Sequence, residues 1–521
     1  MHYIDLIIFF LFTGGIVLYG LSFARRSVSA KDFTSASQSL PGWVVGMSIF
    51  ATYVSSISYL GYPGKAYAGD WNAFVFSLSI PIASYVAARY FVPFYRRQWS
   101  VSAYSFLEER FGVWARLYAS ACYLLTQVAR MGSILYLLAL PMNVLMGWEI
   151  HTVILVTSIA ILLYAISGGI RAVVWTEAVQ GIILIGGALL CLALLLAYMP
   201  GGPKAALDIA IADGKMSLGS FSLTDVSTST FWVCMIYGIF INLQNYGIDQ
   251  NYVQRYHTAA SEREAKKAAL FGGYLFIPVS LVFFMIGTAL YAYYKLQPGL
   301  LPGGLLPDYV FPYFIVNGLP VGLRGLLIAS IFAAGMSTVS TSVTSAATII
   351  LTDYVRPFFL KVRSEWREVR SKKIAHAQSA SVDTSLTTHH SPLTSDRSHQ
   401  KLELAIVRLS SFGVGILGAV VAIAMLSVES IIDAWWTLSS IFSGGMLGLF
   451  LLGCIPQQIN RWAAIAGCIG GIFVIGWISL AEMWQLPGIH LHPYLAIVLG
   501  TTVIFLVGFL CTYLFKGGRM R

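Results

Sequence analysis

The sequence predicts an all-α integral membrane protein with about 13 transmembrane helices, each needing roughly 20 mostly apolar residues. Three observations carry that prediction. Of 521 residues, 57% are hydrophobic and only 11% charged, and the mean hydropathy is +0.73, which leaves too little polar surface to cover a soluble body. The apolar residues run in continuous stretches instead of alternating, and this selects helices over a closed barrel, the two structures that cross a bilayer with every backbone group paired. Lys and Arg gather in alternate breaks between the runs.

In chain order, the runs place helices at about 3–22, 42–65, 71–94, 117–146, 150–169, 172–198, 229–252, 267–294, 323–354, 404–426, 430–453, 460–482 and 490–515. The first has Asp5 near its start and Arg25 and Arg26 after it. That polarity predicts an uncleaved helix with its N-terminus outside, not a signal peptide. The inner breaks then hold Arg25, Arg26, Lys31, Arg96, Arg97, Arg110, Arg116, Arg171, Arg255, Arg263, Lys266, Lys267, nine residues of the loop 355–403, Arg461, Lys516, Arg519 and Arg521. These are 25 of the 33 Lys and Arg, against five outer ones (Lys65, Lys204, Lys215, Lys295, Arg324). The bias predicts an odd number of crossings in the cell membrane, with the C-terminus cytoplasmic.

The same distribution explains the net charge of +10 without a nucleic-acid partner, because the basic residues lie between apolar runs and not along one face. The six cysteines are scattered singly, which suggests neither a zinc knot nor a disulfide framework. Within the loop 355–403, Lys361 to Lys373 reads as an amphipathic surface helix, followed by a Ser, Thr and His-rich stretch read as disordered. His389, His390 and His399 there are assigned no chemistry.

Three helices contain what a bilayer-spanning helix should avoid. In the second, Phe50 to Gly64 packs hydroxyls, glycines and a proline at membrane depth, the composition of a helix broken around a binding site, where free carbonyls line a cavity or hold an ion. The seventh offers a counterpart in Asn242-Leu243-Gln244-Asn245-Tyr246-Gly247-Ile248-Asp249-Gln250. For either segment the alternative is polar bonding between helices. The ninth carries a ladder of hydroxyls from Ser337 to Ser345, recurring on one face at spacings of three and four. Such neutral oxygens suit a hard cation such as sodium, the alternative being bonds back to their own helix.

With these segments in place, the sequence resembles the sodium/solute symporter family over nearly its whole length. The resemblance rests on Ser48-Ile49-Phe50-Ala51 running to Gly61-Tyr62-Pro63-Gly64-Lys65-Ala66-Tyr67, on Gly168-Gly169-Ile170-Arg171 running to Glu177-Ala178-Val179-Gln180, and on the ladder followed by Thr352-Asp353-Tyr354. Within the family it looks most like the bacterial sialic acid symporters, through Trp71, Ser102-Ala103-Tyr104, Leu107-Glu108, Arg110-Phe111, Arg130 and Val253-Gln254-Arg255-Tyr256.

The resemblance implies a LeuT-type fold: a first helix with its inner loop (1–41), a five-helix repeat (42–198), an outer loop (199–228), an inverted five-helix repeat (229–453) and two last helices with an inner tail (454–521). It implies a main sodium site at Ala51, Val54, Ala334, Ser337 and Thr338, and a second at Glu177, Ser340 and Thr341, where the family's acid is usually the shorter Asp. The alternative for Glu177 is a carboxyl held by neighbouring hydroxyls or by Arg171.

Arg130 lies inside the fourth helix, where a charge is costly and marks function by default. Its guanidinium suits a carboxylate, with a structural or gating role as the alternative. The positions that match solute contacts are Tyr53, which replaces a small hydroxyl residue, Ala73, which replaces an aromatic, Ser77, which replaces an amide, and Ser55 and Ser58, which keep their hydroxyls. Asn242 and Asn245 join them as candidates from the seventh helix.

The expected function is import of a small polar solute, an acidic sugar such as sialic acid, coupled to co-transported sodium. The partners are then the solute, sodium and the lipid bilayer. A neutral sugar, polyol or amino acid is the rival solute, and a membrane sensor that keeps the fold is a rival of another class. An enzyme is not expected, since no nucleophile, base and acid constellation appears.

Overall fold

The computed structural model describes residues 2–98, 100–360, 392–427, 445–481 and 491–517. Among these no strand occurs. Nine described helices are long and apolar enough to cross a membrane, and one bent pair makes a tenth candidate.

Helix α1 (Tyr3–Leu21) is followed by a short α2 (Ala30–Ser35), capped where the Ser29 hydroxyl accepts from the Asp32 amide. The expected second helix is two pieces. α3 (Gly42–Tyr53) stops where Val54 turns extended (φ −82°, ψ 108°), and α4 (Ser56–Ala68) resumes after an extended Ser55, bent by 51° from α3. α5 (Phe74–Val86) runs through five π-helical residues into α6 (Val92–Arg97). A short α7 (Ser105–Phe111) turns at Gly112 (φ 97°) into α8 (Val113–Met146), the expected fourth helix.

α9 (Ile150–Ala197) contains the expected fifth and sixth helices, parted at Gly169 (φ 58°, ψ −154°). A Cβ at Gly169 would stand 2.8 Å from Phe33 Cα. The left-handed backbone and the approach of α2 therefore both require glycine.

α10 (Gly202–Ala212) occupies the expected outer loop. α11 (Phe231–Ile248) is the expected seventh helix, and it too breaks. Asp249 is extended (φ −75°, ψ 123°) before α12 (Gln250–Thr258). α13 (Glu262–Leu296) precedes α14 (Pro307–Gly318), which the sequence reading missed because its Pro- and aromatic-rich run is too short to span. α15 (Leu323–Ile349) carries the ladder and continues as π-helix to Leu360.

α16 (Pro392–Ala424) begins ahead of the expected 404. The last part of the stretch read as disordered is therefore helical, while the rest of it and the proposed surface helix lie outside the described residues. The expected helix 430–453 is described only from 445, where it is helical to 453. α17 (Arg461–Ala481) and α18 (Leu495–Gly517) match the last two runs.

Packing puts the ladder at the centre. In the apolar window of the α15 span 94% of residues are buried, against 22% for α1, and α15 is flanked by α9, α8 and α1. α13 packs across α3, α4 and α5. The buried Asp5 fixes α1 to the start of α15: its Oδ1 accepts the amides of Gly322 (2.6 Å) and Gly325 (3.2 Å). A carboxylate at this helix N-terminus satisfies two otherwise orphaned donors and faces the positive end of the helix dipole.

Candidate functional site

The site lies where the two breaks approach each other and the ladder. Because α3 ends at Tyr53, its last carbonyls have no helical amide to accept from. The structure gives them side-chain partners: the Ser337 hydroxyl donates to the Ala51 carbonyl (3.2 Å), and Arg130 Nη2 donates to the Thr52 carbonyl (3.2 Å). Ser337 Oγ and Thr338 Oγ1 also lie 2.9 and 3.1 Å from the Ala334 carbonyl. Four of the five atoms expected of the main sodium site are thus joined in one group, and Val54 sits at the break itself, buried. All five residues are uncharged. A hydroxyl keeps two lone pairs while donating its proton, so the group offers several neutral oxygens and no carboxylate, a field suited to a monovalent hard cation.

Arg130, Tyr53, Asn245 and Ser58 are half-buried. Tyr53 Oη accepts from Asn245 Nδ2 (3.3 Å), a bridge between the two breaks. The Tyr53 ring stacks on Tyr246 (6.2 Å) and meets Phe276 edge-on (4.9 Å). Ser55 is buried in the break, its carbonyl accepting the Tyr59 amide. Two further candidates bond side chains of neighbouring helices. Ser77 pairs with Ser280 Oγ (2.7 Å) between α5 and α13, and Asn242 donates to Ser79 Oγ (2.8 Å) between α11 and α5. For Asn242 this is the interhelical bonding that the sequence left open as the alternative.

Asp249, not singled out from the sequence, occupies the second break. Its Oδ1 caps α12 at the Asn251 amide (2.7 Å), and it lies within electrostatic reach of Arg130 and Arg255. From there a polar chain runs to the ladder: Tyr123 donates to Asn251 (2.9 Å), Asn251 to Gln127 (3.2 Å), and Ser342 to Gln127 (2.7 Å). A signal for Gln127 was available, because it stands three residues before Arg130 and so shares its helix face.

At the expected second ion site the acid has a basic partner. Glu177 is fully buried and ion-paired to Arg255, itself fully buried (2.6 Å). The hydroxyls of Ser48 and Thr341 both donate to the same carboxylate. Ser340 instead donates to the Ser337 carbonyl. Arg171 does not hold Glu177; it bonds the Ala36 carbonyl and Ser39. Arg255, assigned from the sequence to an inner loop, is a core residue, since the break at Asp249 lets α12 fold back into the bundle.

Toward the other end of α15, Asp353 pairs with Arg116 (2.8 Å), which also binds Glu108. Ser102 donates to Asp353 (2.8 Å), so the motif Thr352-Asp353-Tyr354 ties the segment before α7 to the base of α8.

A membrane bundle with two spans broken close to each other, one break bonded to a ladder of neutral oxygens, has the architecture of a secondary transporter. A model of the sodium:solute symporter family matches residues 33–382, and the chain belongs to that family. It is accordingly a sodium-coupled symporter in a cell membrane and not an enzyme. The chain is 30% identical to the sodium/sialic acid symporter NanT of Aliivibrio fischeri, covering 99% of this chain and 94% of that one. It is 31% identical to the sodium/sialic acid symporter SiaT of Proteus mirabilis, covering 99% and 96%. Its fold matches the substrate-bound outward-open structure of a Na+-coupled sialic acid symporter, described as revealing a novel Na+ site, with a TM-score of 0.85 at 27% identity over 98% of both chains. A nucleobase-cation-symport-1 family transporter shares the fold at a TM-score of 0.57 and 13% identity, over 91% of this chain and 92% of that one.

Proposed function

We propose that the chain imports an acidic sugar of the sialic acid type together with sodium. The observation that carries this reading is Arg130, a half-buried guanidinium held at the α3 break beside Tyr53 and Asn245. A guanidinium in low dielectric finds its best ligand in a carboxylate, which takes two parallel hydrogen bonds. That the two relatives are sodium/sialic acid symporters supports the same solute. Sodium binds at Ala51, Val54, Ala334, Ser337 and Thr338, and the solute at Arg130, Tyr53, Asn245, Ser55 and Ser58.

The architecture behind this is about 13 crossings, counting the two halves of α9 separately and α3 with α4 as one. They form inverted repeats over 42–198 and 229–453 with one helix before and two after, the N-terminus outside and the C-terminus cytoplasmic. Rocking of one helix group against the other exposes the site to each side in turn. An inside-negative potential of ~100 mV contributes roughly 2.3 kcal/mol per positive charge moved inward. A solute carboxylate moving with the ion carries the opposite charge, so the ion stoichiometry decides whether the potential drives transport at all.

Titration calorimetry of the purified protein with N-acetylneuraminate, in sodium chloride and in choline chloride, tests the reading. Binding in sodium alone supports it. Equal binding in both salts, or binding of a neutral sugar with none of the acid, rejects it.

A further inference from the structure

We propose that Arg255 is a resident cation that closes the second ion site, so that one sodium ion moves per solute. The inference rests on the sodium-coupled reading above and concerns only how many ions are coupled.

An ionised carboxylate has about four lone-pair positions, two on each oxygen. Around Glu177 the Thr341 hydroxyl donates to Oε1 and the Ser48 hydroxyl to Oε2, and Arg255 Nη2 faces both oxygens at once (2.8 and 2.6 Å). An ion taken up by this carboxylate would have to displace one of these donors. Neither side chain of the pair is exposed, so the cluster is desolvated, and its formal charges already sum to zero. A sodium ion entering here would add a net charge to a dry site beside a guanidinium, which cannot shed its own proton.

Arg255 is also fastened independently of Glu177. Nε donates to Ser48 (2.7 Å) and Nη1 to the Asn251 carbonyl, and Nη2, which has two protons, shares them between Glu177 and Thr341 (2.7 Å). These bonds hold the guanidinium to α3, α12 and α15 at once. The length of Glu177 matters here, because its carboxylate bridges the Ser48, Thr341 and Arg255 groups from α9. Thr341, one of the ladder hydroxyls expected to bind an ion, is thereby turned toward an internal salt bridge.

The test is the accumulation of solute at steady state in proteoliposomes with the membrane potential clamped at zero and a tenfold inward sodium gradient. One ion per solute limits accumulation to about tenfold and two ions to about a hundredfold, whatever the charge of the solute. Accumulation that levels off near tenfold, with equal initial fluxes of labelled sodium and solute, is the expected result. Accumulation clearly beyond tenfold, with two sodium ions entering per solute, overturns the proposal while leaving sodium symport standing. Uptake indifferent to sodium would instead remove the functional reading itself.

Arg255→Ala gives a second readout. With the guanidinium gone, the freed carboxylate should recruit sodium, seen as a larger thermal stabilisation by sodium than in the unaltered protein. If that variant does not fold, the accumulation ratio of the unaltered protein decides alone.

Discussion

Ser337 donates its hydroxyl proton to the carbonyl of Ala51 across 3.2 Å, joining the ladder of α15 to the last turn of α3. The contact unites an oxygen that a broken helix cannot use internally with one that a continuous helix presents sideways. Replacing Ser337 and Thr338 together with Ala removes two of five proposed sodium ligands and little volume. The sodium concentration for half-maximal uptake should rise at least tenfold, a loss of about 1.4 kcal/mol or more. An unchanged sodium dependence would place the ion elsewhere.

Arg130→Ala should abolish uptake of an acidic solute, since losing one partner of a desolvated charge pair costs about 2–5 kcal/mol of binding. Stabilisation of the protein by sodium should persist. Arg130→Lys should restore only part of the uptake, because an ammonium keeps the charge but not the paired geometry. Uptake in the Ala variant equal to that of the unaltered protein would retire the carboxylate contact.

At the other end of the ladder, Arg116→Ala strands Asp353, whose side chain is fully buried. An uncompensated buried charge costs about 3–5 kcal/mol, so a marked fall in melting temperature is expected. Asp353→Asn in the Arg116→Gln background should recover most of it, because both charges are then gone. A single variant as stable as the parent would show that the pair does not hold the base of α8 to α15.

Gly169→Ala should prevent folding, since the new methyl would meet the backbone of Phe33 at 2.8 Å and the residue would have to hold φ at 58°. Gly14→Ala in α1 is the control, with nothing within 4 Å of its added methyl. Monodispersity on size exclusion distinguishes the two, and a folded Gly169→Ala would contradict the close approach of α2 to α9.

Most of the long helices were legible because a bilayer imposes the same demand on each: a run of apolar residues between charged breaks. The break in α3 was legible too, from hydroxyls and glycines where a lipid-facing helix has none. What escaped was whatever depends on partners distant in sequence. Arg255 looks like a loop charge until the break at Asp249 carries α12 into the core. Glu177 reads equally as an ion ligand or as a salt-bridge partner until that guanidinium is placed. Ser77 and Asn242 have the chemistry of solute contacts, and only the packing of α5 against α13 and α11 reveals the interhelical bonds that they make. α14 was missed because a bilayer criterion does not register a helix too short to cross.

Uptake into sealed proteoliposomes of purified protein, driven by an inward sodium gradient, is the most direct test of sodium-coupled import of an acidic sugar. N-acetylneuraminate would be compared with a panel of neutral sugars and amino acids. Accumulation of N-acetylneuraminate that collapses when sodium is equal on both sides, with the neutral solutes excluded, is the predicted result. Accumulation of a neutral solute with exclusion of the acid would contradict it.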